Sequence, residues 1–174
     1  MVSYDSVWKI MMLGDNDASK TSLLIHYTSK PFIENQKMTT GADIYSKDTK
    51  YDRHKIRFNI WDFGDEERFR FLLPQFCKGA NGAIFLYNIT KRSSLHNLPK
   101  WNQIIRKHAR DIPILLVGTE AHLEEKRAVT REQGFQTARE YNLSGFIEVS
   151  SKTGQNVELL FETMAENIYR HYGL

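Results

Sequence analysis

The chain has one cysteine, Cys77, among its 174 residues, which excludes an intramolecular disulfide and points to a reducing compartment. It lacks any apolar run approaching the roughly 20 residues that cross a bilayer, and its opening, MVSYDSVWKIMML, is too short in apolar residues for a secretory signal. Repeats, low-complexity tracts and Pro/Gly/Ser linkers are also missing, so one domain over residues 1–174 is expected. Nor is charge of one sign concentrated anywhere. The 24 basic and 21 acidic residues leave a formal charge of +3, interspersed along the chain, which argues against a nucleic-acid face. The six histidines make no metal-ligand spacing and read as surface or capping residues. No glycine follows Met1 for myristoylation and no cysteine stands in the final RHYGL, so no lipid anchor is visible, and the expectation is a cytoplasmic monomer.

What is present is an alternation. Apolar runs at 7–13, 56–63, 83–89, 112–118 and 146–150 read as strands, and ADIYSKDTKYD (42–52) reads as an edge strand with a turn before His54. Helical patterns lie between them, at 19–28, 66–78, 94–110, 131–141 and 157–172. Strands alternating with helices imply a mostly parallel sheet covered on both faces, and ligands in such sheets sit beyond the carboxyl ends of the strands.

The first of those ends opens into GDNDASKTS. Its spacing is that of the phosphate-cradling loop G-x-x-x-x-G-K-[ST], with Gly14, Lys20 and Thr21 in register and Ser19 where the second glycine belongs. In that loop backbone N–H groups wrap phosphates at a helix start, the lysine supplies a point charge and the hydroxyl binds magnesium. The pattern fails by one residue, and a strand, loop and helix with a Lys-Thr pair is common, so the segment taken alone favours the ordinary reading over phosphate binding.

Longer stretches decide between these readings. KTSLLIHYTSKPF resembles the first helix and following loop of a Ras-superfamily small GTPase of the Rab kind, and TTGADI (39–44) resembles that family's T-I-G-V-D-F switch segment. WDFGDEERFR (61–70) is similar to W-D-T-A-G-Q-E-R-F-R, YNITKRSSLHNLPKW to Y-D-[IV]-T-x-x-x-S-F-x-N-L-x-x-W, and EVSSKTGQNVELLF to E-x-S-A-K-x-G-x-N-V-x-x-x-F. The resemblance covers essentially the whole chain. It implies a three-layer G domain of the P-loop NTPase fold, with a six-stranded mostly parallel sheet and helices on both faces. It also implies GTP or GDP with Mg²⁺ as cofactors where the site functions, and protein effectors or regulators met through residues 36–46 and 62–78. By the same resemblance Lys20 would hold the β and γ phosphates, Thr21 and Thr39 would coordinate Mg²⁺, and Asp62 would hold the ion through its water shell. Phe32 would pack on the base, and Ser150 and Lys152 would support it. Trp61, Phe69 and Phe76 read equally as core or as a partner-facing patch.

The departures from that pattern are concentrated around the ligand. The family's G-N-K-x-D loop reads guanine with its aspartate and lays its lysine over the base. Here Thr119 stands for the asparagine, Glu120 for the lysine and His122 for the aspartate. Losing a bidentate carboxylate costs roughly 1.5–3 kcal/mol per charge-assisted hydrogen bond, or about 10²–10⁴ in guanine affinity. A neutral imidazole cannot offer two parallel acceptors. Ser19 brings a Cβ where the family has glycine, and left-handed backbone there would cost about 1–2 kcal/mol. Asp17 replaces a second glycine and brings a carboxylate towards the phosphate position. In the second switch Asp65 stands where a glycine N–H would reach the γ-phosphate, and Glu66 stands where a glutamine would position the attacking water. A carboxylate lacks the amide donor and repels the phosphate, so hydrolysis through that route is expected to be weak or absent, with Glu66 a doubtful catalytic residue. These features predict a pseudo-GTPase, against the alternative of a divergent but active small GTPase that hydrolyses GTP slowly.

Overall fold

The computed structural model describes residues 3–28, 42–63 and 71–174. Six strands, β1 (Ser6–Gly14), β2 (Ala42–Tyr51), β3 (His54–Phe63), β4 (Gly82–Asn88), β5 (Ile114–Thr119) and β6 (Gly145–Glu148), form one sheet in the order β2-β3-β1-β4-β5-β6. Every pair is parallel except β2 with β3, which turn on Asp52 and Arg53. Asp52 takes a left-handed φ of 54°, which suits the tight connection, and pairing therefore begins at His54 rather than at Ile56.

Among the described residues five α-helices cover the sheet: α1 (Lys20–Thr28), α2 (Leu73–Cys77), α3 (Leu98–His108), α4 (Arg131–Glu140) and α5 (Val157–Tyr172). The period-two alternation of the strands divides their side chains between two cores. Ile10 and Met12 of β1, with Ile84 and Leu86 of β4, face α1 and α5 through Leu24, Tyr27, Phe161 and Met164. Met11 and Leu13, with Ala83, Phe85 and Tyr87, face α2, α3 and α4 through Leu73, Trp101, Ile105 and Ala138. Both faces of the central strands are buried, which is why those strands read as continuous apolar runs.

Two helices differ from their sequence patterns. The stretch read as a helix from Ser94 contains a 3-10 turn, Arg92–Leu95, and α3 starts only at Leu98. Ser94 Oγ receives the Asn88 N–H at 2.9 Å and donates to Lys91 C=O at 2.6 Å, so its hydroxyl closes a turn instead of capping a helix. Pro99 adds a second reason: deeper in a helix its ring would clash with the preceding turn, whereas at the helix start its missing N–H costs nothing. Of the helix expected over 66–78, residues 66–70 lie outside the described residues and α2 covers Leu73–Cys77.

Candidate functional site

Because β1, β3, β4, β5 and β6 run parallel, their carboxyl ends meet at one end of the sheet and bring together loops far apart in sequence. The loop after β1 begins at Gly14, where φ is 149° and a Cβ would stand 2.5 Å from the Leu86 carbonyl oxygen. Only glycine fits that approach. A 3-10 turn, Asn16–Ala18, then carries the chain to Ser19, which adopts the left-handed conformation (φ 55°, ψ 34°) immediately before α1. The left-handed backbone feared at the lost glycine is therefore present.

Lys20 is buried and its Nζ donates to Gly14 C=O at 2.6 Å and to Asp15 C=O at 3.1 Å, so the ammonium is curled into its own loop. Thr21 Oγ1 donates to Asp62 Oδ2 at 3.1 Å. The other carboxylate oxygen, Oδ1, is buried with no hydrogen-bond partner among the described residues. Burial raises the Asp62 carboxyl above the usual carboxylate range, opposed by the Lys20 ammonium and the Thr21 hydroxyl and reinforced by Asp43. An orphaned anionic oxygen beside a hydroxyl is a hard-oxygen donor pair of the kind Mg²⁺ takes. The residues on this side of the site fit a phosphate chain and a divalent cation: Lys20 would supply positive charge, and Thr21 with Asp62 would hold the ion.

The Asp17 carboxylate does not stand unpaired at the phosphate position: it forms a 2.7 Å ion pair with Lys91, both side chains about half exposed. Three residues that sequence reasoning passed over also hold this loop. Asn88 Nδ2 donates to Asp17 C=O at 3.0 Å, Asn97 Nδ2 donates to Asp15 Oδ1 at 2.8 Å, and Lys91 makes the pair just described. The available signal was position: Asn88 ends a strand whose carboxyl end faces the loop.

The β5 end carries the other departures. Thr119 is buried, and its hydroxyl donates to Tyr87 C=O at 3.0 Å, so it ties two strands together. Glu120 has a left-handed φ of 63°, and its Oε1 accepts a 2.6 Å hydrogen bond from Ser19 Oγ, 101 residues away. Its Oε2 lies 3.5 Å from His122 Nε2. His122 Nδ1 is in turn 2.8 Å from Ser150 Oγ, which also receives the Thr153 N–H at 3.2 Å. The two ring nitrogens thus face different partners, Nδ1 the Ser150 hydroxyl and Nε2 the Glu120 carboxylate. Lys152 lies exposed on the turn that follows. Phe32, Thr39, Asp65 and Glu66 lie outside the described residues. So does Phe69, while Trp61 and Phe76 are half-buried and packed together at 5.4 Å between ring centroids, against the second core.

At this end of the sheet Lys20, Thr21 and Asp62 stand together, while Glu120 and His122 are bonded to Ser19 and Ser150. The Ras family model matches residues 9–170. The chain belongs to the Ras family. This Ras-family chain is 38% identical over 168 residues to the GTP-binding protein ypt3 of Schizosaccharomyces pombe, covering 96% of this chain and 78% of that protein. It is 36% identical over 168 residues to human Ras-related protein Rab-37, covering 95% and 75%, and 32% identical over 167 residues to human Ras-related protein Rab-19, covering 95% and 77%. Its sheet order and flanking helices are those of a Ras-like G domain, and its similarity is to Rab proteins. Among the described residues no group of three or more acidic, histidine or cysteine side chains could hold a metal by itself, and no helix is long and apolar enough to cross a membrane.

Proposed function

We propose that this Rab-like chain is a pseudo-GTPase: guanine recognition and GTP hydrolysis are impaired, and the domain serves signalling or vesicle traffic in the cytoplasm as a monomeric interaction module of fixed shape. Its partners are protein effectors or regulators that meet residues 36–46 and 62–78, not nucleic acid. One observation carries the reading. Glu120 stands where the family's lysine would lie over the base, and its carboxylate is bonded to Ser19 at 2.6 Å. His122 stands where the guanine-reading carboxylate would be, and it too is engaged, by Ser150. Neither side chain presents the paired acceptor that the guanine edge needs. Glu66 at the glutamine position adds the argument against hydrolysis.

A second reading draws on a different observation. Lys20, Thr21 and the orphaned Asp62 Oδ1 retain the chemistry of a phosphate and Mg²⁺ site, which supports a divergent GTPase that binds GTP or GDP and turns GTP over slowly. Titration with fluorescent GDP and GTP in Mg²⁺, repeated with adenine and inosine nucleotides, separates the two. Weak binding with little base preference and no turnover is the expected result. Tight guanine-selective binding with steady hydrolysis would overturn the first reading in favour of the second.

A further inference from the structure

We infer that Ser19, Glu120, His122 and Ser150 form one latch between the phosphate loop and the base loop, with Glu120 as its positioning residue. The inference rests on the reading that guanine recognition is impaired, and it explains how three separate departures from the family pattern came to be compatible with one intact fold. Ser19 and Glu120 are distant in sequence, yet both hold left-handed backbone, φ 55° and 63°, and their side chains meet at 2.6 Å. A serine in that conformation is strained where glycine is not, and a short hydrogen bond to an ionised acceptor is among the stronger offsets available. Without Glu120 the strain at Ser19 has no such offset, and without Ser19 the Glu120 carboxylate loses this donor. The second carboxylate oxygen approaches His122, and Ser150 fixes the far side of that ring.

The order serine, histidine, carboxylate also occurs in hydrolytic triads, but Ser150 is fully buried and accepts a backbone N–H, so it presents no nucleophile. The arrangement positions loops. It also sets specificity as a unit. An aspartate restored at 122 would stand beside the Glu120 carboxylate, and like charges that close disfavour the ionised form that guanine requires. Reversal at the reading positions alone leaves the latch closed. Guanine selectivity returns only when Glu120 and Ser19 are reverted together with Thr119 and His122.

Two measurements test this. Melting of S19G, E120A and S19G/E120A without nucleotide forms a cycle in which alanine removes the acceptor, while E120Q, whose amide oxygen can still accept from Ser19, serves as the conservative control. The expected result is strong non-additivity, with E120A lowering the melting temperature more in the serine background than in the glycine background and E120Q retaining most of the stability. The ratio of GDP to ADP affinity is then compared across variants, a readout that a purely structural contact would not move. T119N/H122D is expected to leave the ratio within about threefold of the starting protein, and adding E120K and S19G is expected to raise it by about tenfold or more. An additive melting cycle overturns the latch. So does full guanine preference from T119N/H122D alone, or no gain in the quadruple variant. Guanine-selective binding by the unaltered protein would sink the pseudo-GTPase reading and leave the melting cycle to stand or fall by itself.

Discussion

At the scale of single residues, chemistry is set by burial and by one or two neighbours. Cys77 lies fully buried at the end of α2, and burial pushes its thiol from 9.0 up to about 11, with the Lys9 ammonium pulling the other way. Thiolate is the reactive form, so this cysteine is inert in the folded protein. Reaction with a chromogenic disulfide reagent at pH 8 is expected to be absent under native conditions and complete in denaturant; a fast native reaction would contradict the burial. The same shift has a stability consequence with a definite sign. Because the folded value is raised above the unfolded one, the contribution of the neutral thiol is fully present below pH 9.0 and is lost as pH rises through about 11. A Cys77→Ala variant loses packing at all pH values but loses that alkaline slope as well, which urea melts at pH 8 and pH 11 would show. The identity of each departing residue was legible in the sequence, and so was the left-handed cost at Ser19. Its hydrogen bond to Glu120 was not, because nothing local marks a contact between positions 101 residues apart.

At the scale of elements, the junction of β6 with α4 shows two effects that oppose local rules. α4 starts, as its helical pattern from residue 131 predicts, at a reciprocal capping box of Thr130 with Gln133. Inside it, Gly134 is a weak helix former, and alanine there should gain about 0.5–1 kcal/mol from propensity alone. Yet an added Cβ would stand 2.5 Å from Phe146 Cζ and 2.6 Å from the Tyr87 hydroxyl. Overpacking of that kind costs about 1–3 kcal/mol, so Gly134→Ala is expected to destabilise by about 1–2 kcal/mol net in denaturant melts. Beside it, buried Glu148 accepts from Arg127 at 2.6 and 2.9 Å and from Arg131 at 2.9 Å. The Arg127 side chain is 11% exposed and Arg131 67%. Glu148→Ala leaves the buried Arg127 guanidinium with only the exposed Glu124 carboxylate and the Val129 carbonyl, and is expected to cost about 2 kcal/mol. Arg131→Ala breaks a solvated pair and should cost under about 1 kcal/mol. Equal costs for the two would refute this ranking. Element type was legible from periodicity throughout the described chain. The start of α3 was not, because the helical pattern spans 94–110, and only the strand end at Asn88 reveals the use of the Ser94 hydroxyl in a turn.

At the scale of the whole molecule, the sheet is shared by two cores, so both depend on the same strands. Alternate residues of β1 and β4 belong to opposite cores, and damage to one core reaches the other through a common backbone. Phe161 of α5 stacks on Tyr27 of α1 at 3.6 Å between ring centroids, and both are fully buried, so the scaffold around the site is anchored by apolar packing that involves none of the ligand-facing side chains. Scaffold and base recognition therefore rest on different residues, so a resemblance that gives the fold does not by itself decide the activity. The separation has a measurable form. A ligand that binds only the folded state adds stability that depends on its affinity, and a hundredfold difference in affinity between two saturating ligands is worth about 2.7 kcal/mol. For a domain of this size that corresponds to a difference of about 5–10 °C in melting temperature. If Glu120 and His122 stay bonded within the protein, as the proposed reading has it, GDP and ADP would meet the same Lys20, Thr21 and Asp62 groups through phosphate and Mg²⁺. Scanning calorimetry with equal millimolar GDP or ADP and excess Mg²⁺ is therefore expected to give shifts that agree within about 2 °C. A GDP shift larger by 5 °C or more would mean that the guanine edge is read after all, by side chains other than those at the family's positions.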